Sequence, residues 1–476
     1  MENINAECQV FTPHNIVVDV LDQVGYKTNL YGKKVLENSC GDGAFLVEIV
    51  ERYIQDCIQQ DMPKNEIANG LENDIYGTEI DKKHIITCID NLDKVIHKYN
   101  ISYVKWNILH TDFLKNQIKE KFQFVVGNPP YITYSDLSKD TRKFIRENFK
   151  VCSEGKPDYY YAFIEMSIKI LDKDGRLAYL IPNNIFKNRF ANKLRTFLLP
   201  NLSSIVDFTT EKLFENKLTS SAIIICDGIT HNNSIRYINM AKKVEIQLCK
   251  NDLNDKWVFR EKDTIRQNDK RKFGDDFNAM CSIATLLNEA FILREYQEYE
   301  QHILVNGYKI EKSILKEAVS PRSLQYGRKE LIIFPYFYEQ ENQLLRYEEM
   351  EFLQEFPNTH KYLYSFIEKL NKRDKDENSK WFEYGRSQAL NHLNREKLLI
   401  STLITDEVKV HYISQNQVPY AGIIIYPKGD LPLEVAEKIL KSDEFLEYVY
   451  EIGINASGTT MRIAASDVKN FEYTLE

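Results

Sequence analysis

Positive charge is in short supply in this chain. Against 70 Asp and Glu stand 62 Lys and Arg, a formal net charge of −8. A protein that coats itself on nucleic acid is basic, so this balance excludes a nonspecific DNA binder and leaves room only for a confined basic cleft. Long apolar runs are also lacking. None approaches the roughly 20 residues that cross a bilayer, and the polar, acidic start Met1–Gln9 gives no reason to expect a secretory leader. There is no Cys-x-x-Cys pair. The 8 Cys are scattered from Cys8 to Cys281, with none in the carboxyl-terminal part. That pattern argues against a disulfide framework and a zinc site, and for a reducing, cytoplasmic setting.

What is present is ordinary for a water-soluble globular chain: 43% hydrophobic and 28% charged residues over 476 positions. That length is too great for one core, so two domains are expected.

The chain is organised around Val125-Val126-Gly127-Asn128-Pro129-Pro130-Tyr131. The apolar run from Phe122 to Val126 reads as a buried strand. Two prolines cannot continue a ladder, each fixes its own φ, and each pushes the residue before it towards an extended form. The result is a stiff loop at a strand's carboxyl end, presenting an amide, a free carbonyl and a flat ring. In an open α/β sheet ligands bind at that edge. Read alone, a Pro-Pro pair is no more than a turn; the residues upstream give it weight.

In chain order, Val10-Phe11-Thr12-Pro13 precedes a helical pattern from Ile16 to Val24, with Thr12 expected as its N-cap. Lys34 to Leu46 then reads as strand, Gly-rich turn and helix. Gly41 and Gly43 let the backbone approach a ligand at the helix start. No third glycine completes a dinucleotide fingerprint. Glu37 and Asp42 would repel a pyrophosphate and suit an ammonium or sulfonium charge. The strands Ile75–Glu79 and Asn107–His110 follow, the second leading to Asp112. Successive strand ends thus deliver Glu37, Glu79, Asp112 and Asn128. A single acid there is a solvated loop residue; four in this order are a site. A charged stretch, Ser135–Glu154, leads to a helix opening at Asp158 with Phe163, Met166 and Ile170 on one stripe. Strands at 177–181, 205–208 and 221–226 complete the sheet by about Asp227.

Residues 10–227 resemble the S-adenosyl-L-methionine-dependent DNA methyltransferases that modify exocyclic amino groups. Phe-Thr-Pro, the Gly-x-Gly region, Asn-Pro-Pro-Tyr and a large terminal region, in that order, match the gamma-class adenine-N6 enzymes of restriction-modification systems. One departure is Asn38, where that family usually has Pro. The Pro-Cys nucleophile of cytosine-C5 enzymes is absent. The resemblance implies an α/β fold with a seven-stranded, mostly parallel Rossmann-like sheet over residues 1–233. A mixed α+β target-recognition domain is expected over 234–476. It implies S-adenosyl-L-methionine as cofactor, held by Thr12 and Glu37 at the methionine end and by Glu79 at the ribose. Asp112 and the backbone at Phe113 would read the adenine, with Cys40, Gly41, Gly43, Ile80, Asn128 and Phe163 also in the pocket. Asn128, Pro129, Pro130 and Tyr131 are the expected catalytic set. Phe214 and Lys217 fall in a loop that touches the flipped base in that family. No metal is required.

Beyond Ser234 the texture changes. Lys270-Arg271-Lys272 reads as a solvated basic cluster, and Leu363, Phe366, Ile367 and Leu370 as the buried stripe of a scaffold helix. Arg322, Arg328 and Arg386 lie among amides and aromatics, the side chains that read base edges, although each singly is more often a surface ion pair. The expected substrate is double-stranded DNA. The same core on a protein glutamine, RNA adenine or cytosine N4 is the alternative. A fused nuclease is not expected, because the motifs begin almost at Met1; a separate restriction endonuclease is left open.

Overall fold

The structure, a computed structural model, describes residues 12–116, 118–208, 220–229, 233–253, 255–260, 270–339 and 343–474. The chain divides into two compact units, Met1–Lys262 and Asp263–Glu476.

The first unit is built on one sheet. Its strands are β1 (Val35–Glu37), β2 (Ile75–Glu79), β3 (Asn107–His110), β4 (Phe122–Gly127), β5 (Leu171–Pro182), β6 (Leu202–Asp207), β7 (Ser221–Asp227), β8 (Ser234–Asn239) and β9 (Val244–Cys249). Their spatial order is β3-β2-β1-β4-β5-β7-β6-β8-β9. Strands β1 to β5 pair in parallel, and β7 runs antiparallel between β5 and β6. This is the S-adenosylmethionine-dependent methyltransferase fold, with the seven expected strands in place. Strands β1, β2, β4, β6 and β7 are buried on both faces, as a sheet covered on both sides requires, while the edge strands β3 and β9 are partly exposed. In β4, Phe122 and Val125 face one core while Phe124 and Val126 face the other.

The helices form where the apolar stripes predict. Helix α1 (His14–Val24) buries Ile16, Val17, Val20, Leu21 and Val24, and α2 (Ala44–Gln59) buries Phe45, Leu46, Ile49, Val50 and Tyr53. With α3 (Lys64–Asp74) and α4 (Lys82–Lys98) they lie in sequence before β4; α5 (Lys139–Asn148), α6 (Tyr160–Ile170) and α7 (Asn192–Leu198) follow it. No described helix is long and apolar enough to cross a membrane.

Two expectations need correction. The first unit does not end at 233. β8 pairs with β6 in parallel and β9 pairs with β8, so the sheet has nine strands and the division falls after Lys262. β8 alternates in and out, burying Ile235 and Tyr237, whereas the edge strand β9 is largely exposed. Thr12 does not cap α1 either. The capping position is Pro13, whose ring has no acceptor, and the Thr12 hydroxyl instead accepts from Asn128 Nδ2.

The second unit carries two four-stranded sheets. One runs Phe277–Cys281, Ile423–Pro427, Lys397–Ile400, Val410–Ile413; the other Ile292–Leu293, Glu330–Ile333, Leu315–Val319, Gln417–Pro419. A core rich in Ile and aromatic residues joins them. Leu363 and Leu370 are buried there, but on two short helices, Pro357–Tyr364 and Ile367–Asn371, in place of one. Arg271–Lys272, exposed as expected, pairs with Glu472–Tyr473.

Candidate active site

The sheet order turns at β1. Strands β2 and β3 lie to one side and β4 to the other. Such a switch point leaves a crevice outside the carboxyl ends of the strands. Glu37 closes β1 opposite Val126 of β4, Glu79 closes β2, Asp112 follows β3, and Asn128 follows β4. Four residues 91 or fewer positions apart in the chain thus line one sheet edge.

Glu79 organises the Gly-rich turn. Its carboxylate accepts from the amides of Gly41 (3.0 Å), Ile80 (2.8 Å) and Asp81 (2.9 Å). A carboxylate has about four acceptor sites, so about one remains, enough for a single further hydroxyl. Gly41 and Gly43 sit at φ 52° and 91°, which glycine alone adopts freely. A Cβ on Gly43 would stand 2.8 Å from Cys88 Sγ. The Cys40 side chain is buried and its amide donates to the Thr78 carbonyl at 3.0 Å. Ile80 leaves 40% of its surface exposed beside this turn. Asp112 accepts from the Leu114 amide (3.1 Å) and pairs with Lys115 (3.3 Å). Phe113 packs against Phe163 with ring centroids 5.5 Å apart.

Asn128 is held from two sides. Its Nδ2 donates to Thr12 Oγ1 at 3.1 Å, and Ser39 Oγ donates to its backbone carbonyl at 3.3 Å. With the amide nitrogen engaged, Oδ1 is left buried and has no hydrogen-bond partner among the described residues. After Pro129 and Pro130, Tyr131 is half-buried. Its hydroxyl donates to the Leu180 carbonyl at 2.8 Å and its ring meets Tyr160 at 5.7 Å, near-perpendicular. The loop is also tied down by Tyr159, whose amide donates to the Ile132 carbonyl at 2.9 Å.

Glu37 is the electrostatic centre. It is 3% exposed and its Oε2 has no partner among the described residues. Burial pushes its carboxyl far above the usual carboxylate range. The Cys88 thiol, Glu79 and Asp42 push the same way, opposed only by the Leu46 amide. An acid so placed calls for a positive partner. Buried acceptors on Glu37, Asn38 and Asn128 have no partner among the described residues. That donor-poor set fits a cofactor bearing ammonium and sulfonium charges, and S-adenosyl-L-methionine is the cofactor of this fold.

Three residues of the site carry no signal of their own in the sequence. Asn38, Ser167 and Tyr179 form a buried polar cluster beneath the Asn128 loop. Only the missing Pro at position 38 hinted at it. Phe214 and Lys217 lie outside the described residues.

In the second unit, Arg322 and Gln325 line a cavity of about 530 Å³ with Lys409 and His411. Arg328 is exposed, its guanidinium 5.4 Å from the Tyr326 ring centre. Arg386 is different. It pairs with Asp374 (2.9 Å) and Asp376 (3.0 Å), the ion-pair alternative, and so has little left with which to contact a base.

Comparison with known proteins agrees with this architecture. M.BstVI, a Type II methyltransferase of Geobacillus stearothermophilus, is 31% identical over 255 residues, 50% of this chain and 45% of that protein. RM.Eco57I of Escherichia coli, a Type II restriction enzyme and methyltransferase, is 27% identical over 504 residues, 84% of this chain and 49% of its own length. The chain spans about half the length of these two relatives. Among solved structures, the Type IIL restriction-modification enzyme MmeI, in complex with DNA, has the same fold with a TM-score of 0.61. It is 12% identical, and the likeness covers 96% of this chain and 65% of that one. Residues 27–214, which carry Glu37, Glu79, Asp112 and Asn128, match the family of Eco57I restriction-modification methylases.

Proposed function

We propose that this protein is a sequence-specific DNA methyltransferase that transfers a methyl group from S-adenosyl-L-methionine to N6 of adenine in double-stranded DNA, by base flipping. The observation that carries the reading is the buried Oδ1 of Asn128, which has no partner among the described residues while the amide nitrogen bonds Thr12. When bound, the cofactor supplies an activated methyl group. Glu37 and Thr12 would hold its methionine end, Glu79 its ribose, and Asp112 with Phe113 and Phe163 its adenine.

The target amine is a poor nucleophile because its lone pair is delocalised into the ring. Asn128 Oδ1 and the Pro129 carbonyl would accept its two hydrogens and favour a pyramidal nitrogen. That contribution is positioning plus electrostatics. The duplex hides the amine, so the base must leave the stack at a cost of about a few kcal/mol. Stacking on Tyr131 offsets on the order of 1–3 kcal/mol of it. The second unit, with Arg322, Gln325 and Arg328 exposed, would select the DNA sequence. The fold likeness to an enzyme solved with DNA supports that assignment. A restriction nuclease is the companion activity expected in such a system.

The experiment is methylation of mixed-sequence duplex DNA with tritiated cofactor, followed by digestion to nucleosides. N6-methyladenine as sole labelled product is expected. Label in N4-methylcytosine, or only in RNA or protein glutamine, would replace this reading with one of the alternatives on the same core.

A further inference from the structure

Asn38 follows Glu37 at the end of β1 and is 2% exposed. Its Nδ2 donates to Ser167 Oγ (2.8 Å) and to the Tyr179 hydroxyl, and those two hydroxyls bond each other at 2.6 Å. The three contacts fix which way the amide faces. With nitrogen towards the hydroxyls, the NH2 group supplies two hydrogens and a hydroxyl the third. With oxygen there, two hydroxyl hydrogens must serve three contacts. The amide oxygen therefore points away from the cluster. It is buried and has no hydrogen-bond partner among the described residues.

That oxygen lies against the Asn128 loop. It is 4.0 Å from where a Cβ on Gly127 would stand, and the Glu37 Cγ is 3.6 Å from the same point. Ser39, the next residue, binds the Asn128 carbonyl. Glu37 Oε2 is buried and unpartnered as well. Two buried acceptors on successive residues, both near Gly127 and without a partner among the described residues, are unfavourable unless a donor arrives. A group with several N–H donors and a positive charge satisfies both; a carboxylate or a sugar hydroxyl does not.

We propose that Asn38 is a cofactor ligand whose amide oxygen, aimed by Ser167 and Tyr179, accepts a hydrogen bond from the ammonium of S-adenosyl-L-methionine beside Glu37. The proposal rests on the cofactor reading above. It assigns a binding role to a position where the related enzymes usually carry Pro, which has no side-chain acceptor. Asn38 shares the ammonium with Glu37, so the charge is met by one carboxylate and one neutral oxygen. Tyr179 and Ser167 are positioning residues: they touch the Asn38 amide and not the ligand.

The test uses the full-length chain and two stable thioethers in calorimetry, S-adenosylhomocysteine and its analogue lacking only the amino group. Asn38→Leu should weaken the amino ligand by about tenfold or more, the loss expected for a hydrogen bond to a charged group. The analogue should bind wild type and variant alike. Tyr179→Phe keeps Asn38 and loosens its aim, so a several-fold loss confined to the amino ligand is expected there; it also serves if Asn38→Leu fails to fold. Asn38→Asp should hold the amino ligand at least as tightly as wild type. Equal losses for both ligands, or no loss in either variant, would overturn the proposal while leaving the cofactor reading intact. A wild-type protein that binds neither thioether would bring down that reading and the proposal with it.

Discussion

The Thr12 hydroxyl and the Asn128 side-chain amide, 116 residues apart, share a hydrogen bond of 3.1 Å. It fastens the segment before α1 to the residue that follows β4 and occupies the amide nitrogen of Asn128. Thr12→Val keeps the shape and removes the bond. Turnover is expected to fall about tenfold, equivalent to about 1.4 kcal/mol in the barrier, with DNA affinity unchanged. Thr12→Ser should restore most of the loss. Tritiated-methyl incorporation beside a gel-shift titration separates the two quantities.

Glu37 sets a pH dependence. Its carboxyl is raised in the folded protein, mainly by burial. The unfolded chain therefore releases this proton at a lower pH than the folded one. The stability due to this group is complete below the ordinary carboxylate range and is lost as pH rises through the folded value. Glu37→Gln removes that loss. The ligand-free variant should melt higher than wild type at pH 7 to 8, by about 2–4 °C for each 1 kcal/mol gained, and should bind cofactor more weakly. Melting curves at pH 5 and pH 8 give the sign: the difference between variant and wild type should widen at the higher pH.

The two glycines of the turn should behave differently. Both have positive φ, but a Cβ on Gly41 meets nothing within 4 Å, whereas one on Gly43 meets Cys88 Sγ at 2.8 Å. Gly41→Ala should cost about 1 kcal/mol, the left-handed backbone term. Gly43→Ala should cost more, about 2–4 kcal/mol, because a close contact with a fully buried thiol is added. Chemical denaturation of the two variants checks the order.

Tyr131 combines a ring and an anchor. Its hydroxyl bond to the Leu180 carbonyl was not foreseeable from a Pro-Pro-Tyr sequence. Tyr131→Phe loses that bond, about 1 kcal/mol, and keeps the stacking face. It should retain most methylation, while Tyr131→Ala should lose about 10- to 100-fold if stacking supplies on the order of 1–3 kcal/mol. DNA with 2-aminopurine at the target position should brighten on binding wild type and the Phe variant. Equal rates for Ala and wild type would refute the stacking role.

Much of this site was legible because each strand end carries its own chemistry next to its own turn signal. The residues around Glu37, Glu79, Asp112 and Asn128 give local patterns, and the strand order brings them to one edge. What could not be read depends on contacts between distant positions. Asn38 meets Ser167 and Tyr179 across 129 and 141 residues, and none of the three stands out locally. Thr12 looked like a helix cap because Thr before Pro usually is one, and a tertiary bond took precedence. β8 does alternate, with Ile235 and Tyr237 buried, but it is a short run beyond the expected last strand, and the edge strand β9 is largely exposed, so their membership of the sheet shows only in the pairing. Arg386 had the right company in sequence, but Asp374 and Asp376 claim it.

The central claim is that the side-chain oxygen of Asn128 acts on the target amine in the chemical step. Single-turnover methylation of adenine-containing duplex by Asn128→Ala, with DNA and cofactor both saturating, tests it most directly. The account predicts a fall in the rate of N6-methyladenine formation of about 100-fold or more, in line with the loss of one electrostatic contact to the reacting group, while gel-shift affinity for the DNA stays within about threefold. A near-normal rate, or a rate loss matched by an equal loss of DNA binding, would contradict it.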